Sequence, residues 1–175
     1  AGVAFEPVEV PYPGWLHVST HGQHVAAVPT AERSLHVEIA EVDAWDDTPS
    51  LCGAVSSALS PIETEGVALV VVNTVPDAQR TTVGLREWAA RNDIELLCLH
   101  SRMRMRDRRR ITESVVSRLG PSSPSRPKRL VVVATQVIEQ SVDIDADIVV
   151  SALAPVAPLL QRAGRSHRHG RDRSH

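Results

Sequence analysis

Two motifs near the end of the chain bring arginine, glycine and acidic side chains into a spacing that suits phosphate chemistry. Residues 161–168 read QRAGRSHR, and residues 135–143 read TQVIEQSVD. The later motif sets Arg165 and Arg168 three residues apart, on a segment entered through Gly164. A guanidinium group is a planar fork of donors that binds phosphate oxygens bidentately. The pair therefore indicates a site for a polyphosphate.

The lysine that usually accompanies such chemistry is absent. The only lysine is Lys128, between Pro127 and Arg129, so the sequence contains no G-x-x-x-x-G-K-[ST] phosphate loop. Its 175 residues suit one α/β domain with some extra structure and are too few for a two-domain motor. Because the chain also begins at Ala1 without a methionine, we expect a domain excised from a longer polypeptide.

Charge is distributed unevenly along the chain. Residues 1–65 carry ten Asp or Glu against one Arg, a net charge of −9, and residues 66–175 carry eleven against eighteen Arg or Lys, a net charge of +7. A basic segment attracts a phosphate backbone, and an acidic one repels it. We expect a nucleic-acid surface on the later segment. The alternative is that its arginines form ordinary solvated faces.

From residue 66 onward, apolar patterns alternate between strands and helices, which is typical of a parallel sheet with helices on both faces. The predicted strands cover residues 67–72, 94–99, 130–134 and 148–150. The predicted helices cover residues 76–91, 105–119 and a last one that opens at Pro155 or Pro158, with Leu159 and Leu160 in the core. The predicted class is α/β.

A short β-rich segment is expected before this domain. Strand pieces are predicted at residues 17–18 and 24–28 around His21-Gly22, and the alternation over residues 35–42 predicts a half-buried strand. Residues 46–50 then offer a cap for a helix over 51–59. We predict a connecting segment over 1–48, the end of a preceding domain, a main domain over 49–170 and a basic tail over 171–175.

Polar residues follow the predicted strands directly. Thr135 follows one strand, Asn73-Thr74 follows another, and His100-Ser101-Arg102 follows a third. Ligands of open α/β folds bind at the carboxyl ends of the strands, so these residues are candidates for contacts with phosphate. Local hydrogen bonding at a strand end or a helix cap is the alternative for the threonines. Asp143, Asp145 and Asp147 alternate along one segment, so all three would point to the same side of an extended chain. Asp145 and Asp147 are therefore alternatives to Asp143 as the functional carboxylate of the first motif.

The two late motifs are similar to the last two motifs of superfamily 2 helicases, T-x-V-x-x-x-x-x-D and [QH]-R-x-G-R-x-x-R. Residues 138–141 read IEQS, where many relatives have a small residue, Arg and Gly. With this variant of the motif, the chain resembles the second RecA-like domain of the CRISPR-associated helicase-nuclease of type I systems. The resemblance implies a RecA-like parallel sheet and a motor domain of an ATP-dependent DNA helicase or translocase.

The resemblance also implies residue roles. Arg165 and Arg168 would be catalytic arginine fingers, and Gln161, Asp143 and Arg162 would contact ATP. Single-stranded DNA would be contacted by Thr74, His100, Ser101, Arg102, Thr135 and Gln140. The full-length protein would use ATP with Mg²⁺, and this chain would hold no metal or cofactor of its own. Without a phosphate loop, the isolated chain is expected to be an inactive fragment of an ATP hydrolase.

The implied partners are a first RecA-like domain and a nuclease domain of the same polypeptide, single-stranded DNA and an RNA-guided surveillance complex. Cys52 and Cys98 lie far apart, and the chain has no signal-peptide pattern and no membrane-spanning apolar run. A cytoplasmic protein without membrane contact is therefore expected.

Two alternative functions share these residues. A DNA-repair or RNA helicase of the same superfamily would use the same arginines. A non-enzymatic nucleic-acid-binding module would need only the basic surface. An upstream phosphate loop and a His-Asp motif in the full-length gene would favour the helicase-nuclease.

Overall fold

A computed structural model describes residues 7–11, 14–29, 35–40, 42, 47–124, 126–139 and 142–170. The chain forms two compact units, residues 1–38 and residues 39–175. The first unit contains an antiparallel hairpin of strands β1 (Gly14–Ser19) and β2 (Gly22–Ala27). This hairpin confirms the β-rich start predicted around His21-Gly22. The domain boundary predicted at residue 48 stays a prediction, and the basic tail over 171–175 lies outside the described residues.

The prediction of a strand over residues 35–42 is wrong for the residues that the structure describes there. Residues 35–40 and 42 adopt no regular structure, and Val37 and Ile39 are 71% and 85% exposed. Alternation of apolar and polar residues predicts a strand only where a neighbouring strand and a core cover one face. Neither covers this segment within the described part of the chain.

The second unit is built on a parallel sheet of four strands. They are β3 (Gly66–Val71), β4 (Glu95–Leu99), β5 (Arg129–Ala134) and β6 (Ile148–Ser151), in the order β4-β5-β3-β6. The central strands β3 and β5 are almost entirely buried, as their continuous Val and Leu runs predict. All four predicted strands are confirmed, with bounds that differ by one residue.

Helices cover both faces of this sheet. They are α1 (Thr48–Ala58), α2 (Val75–Gly84), α3 (Arg86–Arg91), α4 (Met105–Leu119) and α5 (Val156–Ala163), with short 3₁₀ turns at Ser60–Glu63 and Gln136–Ile138. Ala68 and Val70 of β3 share one core with α1, α2 and α3, whereas Val67 and Leu69 share the opposite core with α4. The α/β fold predicted from the sequence is therefore confirmed.

Two details differ from the sequence-based expectation. The helix predicted over 76–91 divides at Leu85, after Gly84, a residue of low helix propensity. Leu160 is 67% exposed instead of buried, because α5 lies mainly against the edge strand β6 and is covered on one side only. In the described ranges, no helix combines the length and apolar composition needed to cross a membrane.

Gly84 provides a test of the packing between α1 and α2. A Cβ at this position would lie 2.3 Å from the Cys52 sulfur, which is buried. We expect Gly84→Ala to lower the free energy of unfolding by about 1–3 kcal/mol through overpacking. Urea denaturation of the chain measures this. In a Cys52→Ala background the same substitution should cost much less, and an equal cost in both backgrounds would contradict the assigned contact.

Candidate functional site

The carboxyl ends of the strands meet at one level of the sheet. Ala134 of β5 is paired with Leu99 of β4 and with Val71 of β3, which is itself paired with Ser151 of β6. Backbone hydrogen bonds of 2.8–3.1 Å continue one residue beyond each pairing. The sheet therefore brings together the polar residues that follow its strands, as the sequence predicts.

Arg162 joins three of the segments at this edge. Its side chain is buried, with Nε donating to the Glu139 carboxylate at 2.7 Å. Nη1 donates to the Ser151 hydroxyl and the Ala152 carbonyl, both at 3.0 Å, and Nη2 donates to the Asn73 side-chain oxygen at 3.1 Å. This one guanidinium thereby connects the ends of β3 and β6 to the loop after β5.

The burial of Arg162 assigns it a positioning role. Its relative exposure is 1%, and each guanidinium nitrogen already donates to a protein acceptor. The contact with ATP that the resemblance implied for Arg162 stays a prediction. Gln161, the neighbouring nucleotide candidate, is exposed in the last turn of the same helix.

Arg165 is buried without a carboxylate partner among the described residues. Its Nη1 donates to the Val142 carbonyl, and Nη2 donates to the Glu139 carbonyl at 2.9 Å. Its Nε has no hydrogen-bond partner within the described part of the chain. Burial lowers the pKa of Arg165, repulsion from Arg168 lowers it further, and attraction to Asp143 offsets these effects only in part. The result is a poorly solvated cation.

Arg168 and Asp143 form a half-exposed pair beside it. Arg168 Nε donates to the Asp143 carboxylate at 2.5 Å, and His169 Nε2 lies 3.2 Å from the same oxygen. Burial raises the pKa of Asp143, but the hydrogen bonds and charges of Arg168 and His169 outweigh it and leave the pKa below its usual range. Asp143 is therefore an anion that orients Arg168.

Residues 165–168 lie alongside residues 145–147. Ala146 donates its backbone N–H to Arg165 at 2.9 Å and accepts one from His167 at 2.9 Å. The fully buried Asp145 carboxylate accepts the Arg168 backbone N–H at 2.7 Å. These bonds hold both candidate catalytic arginines against the sheet.

Pairing and burial distinguish Asp143 from Asp145 and Asp147. Asp147 accepts from the Val67 backbone N–H at 2.7 Å and from Arg126 at 2.9 Å, so its role is structural. Asp145 also has internal partners. Of the three carboxylates, Asp143 lies most accessible, with a side chain 52% exposed. Its predicted nucleotide contact stays a prediction.

The residues predicted to bind DNA lie at the ends of β3, β4 and β5. The Thr74 hydroxyl caps α2, accepting from the Asp77 backbone N–H at 3.2 Å and donating to its carboxylate at 2.5 Å. Thr135 and His100 are buried at this edge, and Nδ1 of His100 has no hydrogen-bond partner in the described ranges. Ser101 and Arg102 are exposed. Gln140 lies outside the described residues.

Sequence reasoning missed Glu139 and Arg126, which support the site from within. Glu139 carries the carboxylate that holds Arg162, and Arg126 binds Asp147 and the Asp145 carbonyl. The signal for Glu139 was its place between Thr135 and Asp143 in the first motif. The sequence around Arg126 carried no such signal, because this residue lies in a Pro/Ser-rich stretch outside both motifs. No group of three or more His, Cys, Asp or Glu side chains in the described ranges has metal-site geometry.

The Arg162 network predicts a large loss of stability when it is broken. Arg162→Ala leaves the Glu139 carboxylate buried without its cation, which typically costs about 3–5 kcal/mol. We expect a loss of this size in urea denaturation. Arg109→Ala is the matched control, because its exposed pair with Glu113 contributes about 0–1 kcal/mol. Equal losses for the two variants would contradict the positioning role.

Residues 64–171 match the family model described as CRISPR-associated nuclease/helicase Cas3, C-terminal. The CRISPR-associated nuclease/helicase Cas3 of Streptococcus thermophilus is 35% identical over 108 residues, which are 62% of this chain and 11% of that protein. The chain spans about a tenth of the length of the curated relatives it matches.

Solved structures agree with this similarity. The crystal structure of T. fusca Cas3-ATP superposes with a TM-score of 0.75 at 35% identity, covering 91% of this chain and 19% of that one. A chain of a CRISPR RNA-guided surveillance complex, pre-nicking, superposes with a TM-score of 0.69 at 34% identity, covering 91% of this chain and 20% of that one.

Proposed function

The chain belongs to the Cas3 family as its C-terminal helicase domain, and we propose that it is the second motor domain of an ATP-dependent DNA translocase of CRISPR interference. It supplies arginine fingers to ATP held with Mg²⁺ on another domain of the full-length protein, and it grips single-stranded DNA. The observation that carries the proposal is Arg165, a buried cation with no carboxylate partner among the described residues.

The nucleotide part of the proposal rests on Arg165 and Arg168. Negative charge spreads over the oxygens of a transferred phosphoryl group, and arginines delivered from a second domain stabilise it. Because burial has removed much of the hydration of Arg165, its charge acts on an incoming anion through a lower dielectric than water. The relative T. fusca Cas3-ATP supports ATP as that anion. Asp143 orients Arg168, and Arg162 holds the segment that carries both fingers.

The DNA part rests on the row of residues along the carboxyl edge. Strands β4, β5 and β3 are neighbours, so His100, Thr135 and Thr74 follow one another across the sheet. The exposed Ser101 hydroxyl and backbone N–H groups in such a row suit contacts with phosphate, which carry no base specificity. The Thr74 hydroxyl donates to Asp77, so Thr74 would contribute its backbone. Ser101, Arg102 and Gln140 complete the proposed set. The same domain carries the contacts to DNA and the arginine fingers. Closure of this domain onto ATP therefore moves the DNA strand and couples hydrolysis to translocation.

The proposed partners follow from the relatives. Their description as nuclease/helicase supports a first RecA-like domain and a nuclease domain on the same polypeptide. The similar chain in an RNA-guided surveillance complex supports recruitment by such a complex. We propose a cytoplasmic location for this assembly. A second-domain role also accounts for the absence of a phosphate-loop lysine.

Replacement of the fingers tests the catalytic role. In the full-length protein, Arg165→Ala or Arg168→Ala should lower ATP turnover by roughly 10² or more with DNA affinity nearly intact, since fingers act on the transition state. Arg165→Lys should also fail, because a point charge does not reproduce the planar fork. Steady-state ATPase assays with single-stranded DNA measure both.

Thr135→Ala is the contrasting variant for this test. It should weaken DNA binding and the stimulation of the ATPase by DNA before it affects basal turnover. Normal turnover by the Arg165→Ala protein would leave the last motif a purely structural role and the chain only a nucleic-acid-binding module.

The isolated chain should hydrolyse no ATP. It carries the proposed fingers but no lysine in a phosphate loop to hold the β- and γ-phosphates. A phosphate-release assay on purified chain, with and without single-stranded DNA, should match the buffer blank. Turnover stimulated by DNA in this preparation would refute the assignment as an incomplete motor.

A further inference from the structure

Helix α4 begins with a cluster of exposed arginines that the proposed ATP site does not use. Residues 102–110 contain six arginines and one acidic residue, Asp107. We call four of them the arginine face: Arg102, Arg104, Arg106 and Arg110. All four are exposed, and within the described ranges their guanidinium groups have no hydrogen bond or ion pair. Nearby Arg109, by contrast, binds Glu113 at 2.7 Å.

Two residues of the arginine face, Arg104 and Arg106, lie where they disfavour their own helix. The amino-terminal end of a helix carries a partial positive charge, so cations there are destabilising. The first turn of α4 contains only Asp107 to offset them, and the capping residue Arg104 makes no side-chain hydrogen bond to the helix. Local helix stability therefore does not account for these arginines, whereas a bound polyanion would relieve their repulsion.

The arginine face continues from the proposed DNA edge. His100 and Ser101 follow the last residue of β4, and Arg102 comes directly after them. Because β4 is the edge strand of the sheet, a DNA strand that crosses the carboxyl ends of β3, β5 and β4 leaves the sheet at this point. Arg106 and Arg110 are one helical turn apart, about 6 Å along the axis, which is close to a single-strand phosphate spacing.

We propose that the arginine face binds the phosphate backbone of single-stranded DNA beyond the sheet edge. The inference rests on the proposed function, which supplies the strand, and extends its path onto α4. Each guanidinium fork suits a phosphate, and contacts of this kind carry no sequence preference. Among nearby carboxylates, Glu113 is already bound to Arg109, so Asp107 remains the main opposing charge on α4.

Salt-dependent binding of an oligothymidine to the full-length protein tests this inference. Each phosphate contact on a single strand contributes about −0.7 to the slope of log K against log salt concentration. The Arg104→Gln/Arg106→Gln/Arg110→Gln variant should make the slope shallower by about 2 and lower the affinity at low salt at least roughly tenfold. Circular dichroism checks that this surface variant folds.

Arg109→Gln is the matched control, since it removes one exposed arginine of the same helix that is already paired with Glu113. Its slope should change little. An unchanged slope in the triple variant, with binding still weakened by Thr135→Ala, would overturn the inference and leave the proposed function standing. If neither change affects binding, the proposed DNA grip fails as well. Retained DNA affinity with lost binding to the RNA-guided complex would instead make the face a protein interface and overturn the inference.

Discussion

The buried guanidinium of Arg162 is the interaction on which the rest of the site depends. It binds Glu139, Asn73 and the end of β6, so it connects three segments that the sheet alone would leave as separate loops. A buried arginine is tolerated only where a carboxylate and further acceptors replace its water. Because the same helix leads directly into residues 165–168, this network sets the position at which the next two arginines emerge.

Those two arginines, three residues apart, have opposite environments. Arg165 is buried against backbone carbonyls, and its lowered pKa reflects the loss of solvent. Arg168 is half exposed and held by Asp143. Arg165 is thus held in place by the fold, whereas Arg168 is oriented by a half-exposed ion pair with Asp143. This division suits the proposed nucleotide role, which needs a site that is preorganised and still accessible.

The order of the strands determines which residues meet. The parallel arrangement β4-β5-β3-β6 places every strand end on one edge, and the register sets those ends at one level. The candidate nucleotide residues lie near β3 and β6, whereas the candidate DNA residues lie along β3, β5 and β4. Arg162 reaches the carboxyl edge, whereas residues 165–168 lie beside residues 145–147, which lead into the amino end of β6. The two proposed functions therefore meet at Arg162, and the arginine face of α4 extends the carboxyl edge on the side of β4.

The sequence by itself determined the α/β class, the four buried strands, the bounds of α4 and the meeting of polar residues at the strand ends. These features depend on local periodicity, which each segment carries whatever its neighbours are. Tertiary structure alone decided that residues 35–40 form no strand, that Leu160 is exposed, and that Arg162 and Arg165 are buried while Arg168 is not. It also separated Asp143 from the structural carboxylates Asp145 and Asp147. Burial and pairing depend on groups far apart in the chain, such as Asn73 and Arg162, and no local pattern records which of them meet.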